Sequence, residues 1–538
     1  MFLPGISFSA KRPAEAAGLS SRADVAMFVG CVPRRAGEVP APVLEALARG
    51  GWSQEGLFRV EPERLASLLD VPVPVYSWSE FDSLYAWERR PLAQGSSDFV
   101  PTSLGLAVRS FFEEGGAKAW IVRTGDPAAL DADEAAKLPL LTGQGAEGAG
   151  RVAILPGFRG ASRAADPGDP QTWSGAGAIF GIGDAAMLLL PDLIDICAGG
   201  PEFAEPEPPA PAPPEQFRPC APAAPDLAPE KREGRPQYQA PRLDGAQYAL
   251  WADSLQYALT LLSRARGPDH RQDAMLLSAF PLPLLGEFGR GDEAWPLAIL
   301  DAPLVGDKRL LAEGWIDHPR LQLAYPWVRT AASLNMPEGV QSPEGLLAGI
   351  VARTSLADGA FRSIAGREAR SVRGLKPEIG ESDLGRGLEG EADWLGERLC
   401  LIAVKRGRPE WLSDSTLARD RKWRSGGVSR LMGIVLRAAR QFGDELMFEP
   451  SGPALWARIR GTVESFLDGL WRRGALDGRS RDRAFRVECG ETSMTEADID
   501  AGRVVARIGF TAAYPIQHIS VSLLLLEAAA DGQAREAA

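Results

Sequence analysis

Two periods of hydrophobic spacing take turns along this chain. Between Ser103 and Gly125, SLGLAVRSFFEEGGAKAWIVRTG, the residues Leu104, Val108, Phe111 and Phe112 recur at helical spacing. Gly115 and Gly116 then supply a permissive stop, and an apolar run reads as a strand. Upstream, Arg22–Pro33 (RADVAMFVGCVP) and Val71–Phe81 (VPVPVYSWSEF) read as strands; downstream, Arg151–Gly157 (RVAILPG) and Ala185–Leu193 (AAMLLLPDL) read as buried ones. This alternation predicts an α/β fold with a largely parallel sheet.

The second half repeats the theme. Gln247–Ala265 (QYALWADSLQYALTLLSRA) predicts a helix, DAMLLSAFPLP a strand, and His318–Thr330 a strand entering a loop. Leu455, Ile459, Val463, Phe466, Leu467 and Leu470 phase a long helix near the end. Two strands follow it, Arg503–Phe510 and Pro515–Leu526. In the second, Ile519, Val521, Leu523 and Leu525 alternate with His518, Ser520, Ser522 and Leu524. A long apolar strand near a terminus aggregates unless it is paired or covered, so a partner is expected for it.

Proline breaks the pattern once. Residues 201–241 hold 13 of the 43 prolines, and proline lacks the amide proton a helix or ladder needs, so an extended linker or surface excursion is expected there. The divisions that follow are an arm over 1–21, an α/β region over 22–200, the proline-rich insert, a middle α/β region over 242–400 and a C-terminal domain over 401–538. A chain of 538 residues is too long for one core of usual size.

Charge is concentrated in one stretch. The total of 59 − 71 = −12 argues against general nucleic-acid affinity. Yet Leu401–Gln441 carries ten basic residues against Glu410, Asp414 and Asp420, 10 − 3 = +7. A solvated basic face and an acidic protein partner both account for such a run. No apolar run reaches the ~18 residues of a membrane span, so no direct membrane insertion is expected. The N-terminus reads as a retained arm rather than a signal peptide. Five cysteines without a CxxC pair predict neither a disulfide framework nor a zinc site, and a reducing compartment.

Candidate chemistry is sparse. The three histidines, His270, His318 and His518, have no metal-ligand spacing, and neither GxSxG nor GxxxxGK[ST] occurs. Gly175, Gly177 and Gly181 give GxGxxxG, which misses the dinucleotide fingerprint and reads as a loop. Asp498 and Asp500 sit in a turn. No catalytic, cofactor-binding or metal-binding residue is assigned, and no cofactor is expected.

An ordered series of segments remains. SSRADVAMFVGCVPRRAGEVPAP, SLGLAVRSFFEEGGAKAWIVR, AMLLLPD, LQLAYPWV, SPEGLLAGIVARTSLADGAFRSIAG and SRLMGIVLRAARQFGDELMFEPSGPALWARIRGTVESFLDGLWRRGAL occur in this order, followed by closing strands through YPIQHISVSLLL. Together they resemble the contractile tail sheath proteins of phage tails, tailocins and extracellular injection systems. The resemblance covers most of the chain outside the proline-rich insert; YPIQHISV departs from the Pro-Ala-Glu-Phe type of ending found in many members.

The resemblance implies a multidomain subunit with a mixed-sheet C-terminal domain, a subtilisin-like α/β middle region and extended terminal arms. It implies six-fold rings stacked helically around an inner tube and held in a metastable extended state. Contraction then drives the tube through a target envelope without a nucleotide site. Implied partners are further copies of itself, the inner tube protein, and baseplate and tail terminator or cap proteins, assembled in a bacterial cytoplasm. Strand exchange would use Phe2, Ile6 and Phe8 of the first arm, and Ile519, Val521, Leu523 and Leu525 within an exchanged strand at about 515–527. Arg430, Arg437 and Arg440 are expected to face acidic tube residues. Two other readings are a subtilisin-like hydrolase, which needs an Asp, a His and a Ser in suitable motifs, and a non-contractile scaffold or tube protein.

Overall fold

Leucine-rich and β-branched runs without alternation are buried on both faces of a sheet, and that is where this chain puts most of them. The computed structural model describes residues 22–145, 150–200, 238–263, 271–283, 316–379, 396–446, 449, 452–500 and 504–514. The strands that matter here are β1 (Ala26–Cys31), β2 (Val73–Val75), β3 (Ala119–Gly125), β4 (Met187–Leu189), β5 (Met275–Ala279), β6 (Leu321–Tyr325), β7 (Cys400–Lys405), β8 (Arg408–Trp411), β9 (Phe485–Cys489) and β10 (Ala506–Phe510). The principal helices are α1 (Ser103–Glu113), α2 (Glu134–Thr142), α3 (Gly245–Ser263), α4 (Glu344–Ala357), α5 (Gly426–Leu446) and α6 (Pro453–Arg472).

Eight strands form one sheet in the order β8-β7-β6-β5-β4-β1-β3-β2. The six from β7 to β3 run parallel, and β8 and β2 close the two edges antiparallel. Every residue of β1, β4, β5 and β6 is buried.

This sheet corrects the expected divisions. Met187 of β4 pairs with Ala26 on one side and Met275 on the other, so strands from both sides of the proline-rich insert share one core. The expected boundary after residue 400 also falls away, because β7 and β8 extend the same sheet. Proline content carries no information about which strands later become neighbours, and residues 201–237 themselves lie outside the described residues.

α1 follows its sequence pattern. Thr102 caps it by accepting the Gly105 amide at 3.0 Å, and Leu104, Val108 and Phe111 are fully buried while Phe112 is partly so. A Cβ on Gly116 would stand 2.3 Å from the Phe111 ring, so the glycine pair lets the chain fold back over that ring. α4 crosses α1 so closely that a Cβ on Gly345 would lie 2.2 Å from the Ala107 carbonyl.

Two expected strands differ. Val71–Phe81 is a strand only over Val73–Val75, because the Ser77 hydroxyl accepts the Glu80 amide and starts a helix at Trp78–Leu84. Arg151–Gly157 is no strand: the Ile154 and Leu155 amides donate to Leu140 and Leu141 carbonyls at the end of α2, each at 3.0 Å. Gly175–Gly181 forms buried 3-10 turns.

The C-terminal part has its own small architecture. Leu455, Ile459, Val463, Leu467 and Leu470 of α6 are buried, α6 packs on β9, and β9 pairs antiparallel with β10. Among the described residues no helix is long and apolar enough to cross a membrane.

Candidate assembly sites

The basic helix comes first, because three of its arginines were expected to face outward. α5 carries them, and it packs against β5. Arg430 is buried, its side chain 3% exposed, and its guanidinium forks onto Asp414 at 2.7 and 3.0 Å. It also donates to the Ala360 and Arg362 carbonyls, each at 2.9 Å. Arg437, 8% exposed, donates to the Asp273 carboxylate at 3.3 Å, the Asp273 carbonyl at 2.9 Å and the Arg22 carbonyl at 2.9 Å. Arg440, 23% exposed, reaches Asp273 at 3.1 Å.

The expectation for Arg430 and Arg437 is therefore corrected, and that for Arg440 weakened. Buried guanidinium groups need partners, and this chain supplies them itself. The cations of the basic run that do reach the surface include Lys405, Arg408, Arg419, Arg421 and Lys422, none of which makes an ion pair among the described residues.

Asp273 and Asp414 are the residues that sequence reasoning missed. Asp273 stands just before β5 and takes Arg271 in a fork at 3.1 and 3.2 Å, besides Arg437 and Arg440. The remaining Arg271 donors go to the carbonyls of Ile179, Ile182 and Ala185. The glycine-rich segment thus wraps a buried guanidinium. Burial alone would raise the Asp273 carboxyl; the arginines outweigh it and hold that carboxyl well below the usual range. Asp414 is held down in the same way by Arg430 and by the Gln322 amide, 2.9 Å away. An aspartate abutting an apolar run was the only sequence signal for Asp273.

A second buried polar group sits at the carboxyl ends of β1 and β4. Asp192 accepts the Cys31 amide at 2.6 Å, and burial pushes its carboxyl up to about 7. Asp195 beside it pairs with Arg90 at 2.6 Å and Lys137 at 3.1 Å. Burial, with the neighbouring Asp192 carboxylate, pushes the Cys31 thiol up to about 12. Among the described residues no group of three or more His, Cys, Asp or Glu side chains is placed to hold a metal.

The third feature is an unfinished sheet. Among the described residues β9 and β10 pair only with each other, and α6 packs on β9. Along β10, Ala506, Arg507 and Gly509 are exposed and Ile508 and Phe510 half-buried. A two-stranded ribbon by itself is marginal in water, and among the described residues no further strand pairs with the outer edges of this one. The chain continues beyond Tyr514 into 515–538 directly from this ribbon. The expected arm residues Phe2, Ile6, Phe8, Ile519, Val521, Leu523 and Leu525 lie outside the described residues.

No protein-family model matches this chain. No curated protein matches it either. Solved structures do, over nearly the full length. A chain of the anti-feeding prophage baseplate in its contracted state aligns with a TM-score of 0.56 and 17% identity, covering 98% of this chain and 99% of that one. A chain of the six-fold symmetrised baseplate of the same particle aligns at 0.53 and 15%, covering 98% and 100%. A chain of its helical sheath in the contracted state aligns at 0.52 and 16%, covering 97% and 99%. At these identities the likeness is one of fold.

Proposed function

We propose that this chain is a structural subunit of a contractile sheath, assembling as helically stacked six-fold rings that shorten to drive an inner tube through an envelope. The observation that carries the reading is end-to-end agreement of fold with a chain from a contracted helical sheath, with almost nothing left over on either side. The match to chains from baseplate structures supports a place beside a baseplate. The ordered sequence series points the same way, and the hydrolase reading finds no support in these matches.

Several finer parts belong to this reading. The subtilisin-like character is assigned to the whole parallel sheet, from β3 to β7, rather than to 242–400. The β9–β10 ribbon is the acceptor for exchanged strands, with the arms at 1–21 and 515–527 as donors; backbone pairing at both edges would complete the sheet. Inner tube, terminator and cap are partners of the assembled particle, and assembly takes place in a bacterial cytoplasm. The role is non-enzymatic: the work of contraction is stored in packing at assembly.

Electron microscopy of the purified chain, with and without residues 1–21, tests the reading. Ordered tubes or rings that disappear on deletion support it. Failure of both forms to assemble, alone and around the partner tube, overturns it.

A further inference from the structure

The two ends of the eight-stranded sheet carry opposite charge. At the β2 end lie the helix Ala41–Arg49, which packs beside β2, and the turns that follow it. Residues 38–64 hold three arginines and five glutamates, 3 − 5 = −2. Arg59 stands 4.0 Å from Glu61 and Arg64 bonds Asp70 at 3.4 Å. That leaves Glu38, Glu45, Glu55 and Glu63 exposed and without an ion pair among the described residues, against Arg49. Leu44 and Leu57, 40% and 53% exposed, stand among them.

At the β8 end the balance reverses. Within the stretch from Arg362 to Arg373, Gly366–Ala369 line the outer side of β8, with the Gly366 amide on the Trp411 carbonyl at 2.7 Å and the Ala369 amide on the Pro409 carbonyl at 3.0 Å; just beyond, the Ser371 amide and hydroxyl donate to Glu114 and the Arg373 amide to the Arg329 carbonyl, each at 2.8 Å. Residues 362–378 and 405–411 hold eight cations and three anions, 8 − 3 = +5. Arg367 pairs with Asp358 and Lys376 with Glu338. Arg362, Arg370, Arg373, Lys405 and Arg408 are exposed with no ion pair among the described residues. Seven strand spacings of ~4.8 Å put the two ends roughly 34 Å apart.

We propose that the β8 end of one copy docks on the β2 end of the next. The occupant follows from charge: a chain of net −12 repels its own copies wherever like faces meet, and its basic end offers the complement for its acidic one. Joining unlike patches makes a heterologous contact, which closes into a ring or runs on as a helix according to its rotation. Leu44 and Leu57 give the contact an apolar centre within a charged rim. The proposal rests on the sheath reading for its biological setting, while the contact itself is tested without a tube.

The experiment uses the full chain and sedimentation velocity at low salt and at about 0.5 M salt. One variant reverses the basic end (Arg370→Glu, Arg373→Glu, Arg408→Glu) and another the acidic end (Glu45→Lys, Glu55→Lys, Glu63→Lys). All six side chains are exposed, so the melting temperatures of both should stay near the parent's, which circular dichroism checks. Each variant alone should associate at least about tenfold more weakly than the parent at low salt, and an equimolar mixture should recover association, since one then offers two acidic ends and the other two basic ones.

Failure of the mixture to recover association overturns the contact. So does a parent that stays monomeric at low salt. Should the basic-end variant lose stability while assembly is unchanged, the basic end serves its own chain and the contact is again wrong. Tubes that form normally from both variants would leave the sheath reading standing and remove only this contact.

Discussion

The eight-stranded body and the α6–β9–β10 unit handle polar groups and strand edges in opposite ways. The body closes both sheet edges with antiparallel strands, lays a loop along β8, and internalises charge as linked clusters around Asp273, Asp414 and Asp195. The C-terminal unit keeps its ion pairs at the surface, such as Arg481–Glu464 and Arg472–Asp468, and its two-stranded ribbon has no further strand among the described residues. The body is complete as a fold, whereas the unit presents backbone that another strand can pair with. This difference assigns a closed, internally paired architecture to one region and, among the described residues, an open one to the other.

The largest expected effect sits in the body. Asp273→Ala removes the carboxylate shared by Arg271, Arg437 and Arg440 and should destabilise the chain by ~3–5 kcal/mol, read by urea denaturation. A loss under about 1 kcal/mol would mean the cluster is held by its carbonyls instead. Leu467→Ala, in the buried face of α6, should cost ~2–5 kcal/mol, with the loss of amide protection confined to 452–514 by hydrogen exchange. Melting of β5 and β6 in the same step would break the distinction between the regions.

The third prediction concerns pH and again separates them. Burial pushes the carboxyls of Asp70, Asp192 and Glu344 up to about 7, and Glu344 Oε2 has no hydrogen-bond partner among the described residues. For a raised carboxyl the folded state binds the proton more tightly. Its stabilisation is complete below the ordinary carboxylate range and is lost as pH rises through about 7. Stability of the body should therefore fall between about pH 4 and 7 and level off above, and Glu344→Gln should flatten that slope. Asp273 works in the opposite sense, its contribution being present at neutral pH and lost only on strong acidification. A C-terminal unit that followed the same slope would contradict the assignment. The smallest effect is expected at the surface: Glu464→Ala, breaking the exposed pair with Arg481, should change stability by ~0–1 kcal/mol.

Local spacing makes much of the fold legible in the sequence. α1, α3 and α6, and strands β1, β3, β4, β5 and β6, stand where periodicity places them, because helix and strand patterns repeat over a few residues. The same logic fails at Arg151–Gly157, whose apolar run is buried but bonded to a helix end, and at Tyr76–Phe81, where one serine cap outweighs the strand pattern. In the α5 arginines the limit is sharper. Their positions on a helix are legible, yet their partners Asp414 and Asp273 lie 16 and 164 residues away.

Read alone, then, the chain's residues specify the alternating α/β character, the helix with its glycine stop and the ordered series that resembles a sheath. Folding adds that strands from both sides of the proline-rich stretch share one sheet, that Arg430 and Arg437 of the basic run turn inward while most of its cations stay exposed, and that opposite ends of that sheet carry opposite charge. Periodicity is a property of neighbours along the chain. Strand order and charge pairing are decided by which distant segments pack together, since a buried charge is tolerated only where a partner meets it.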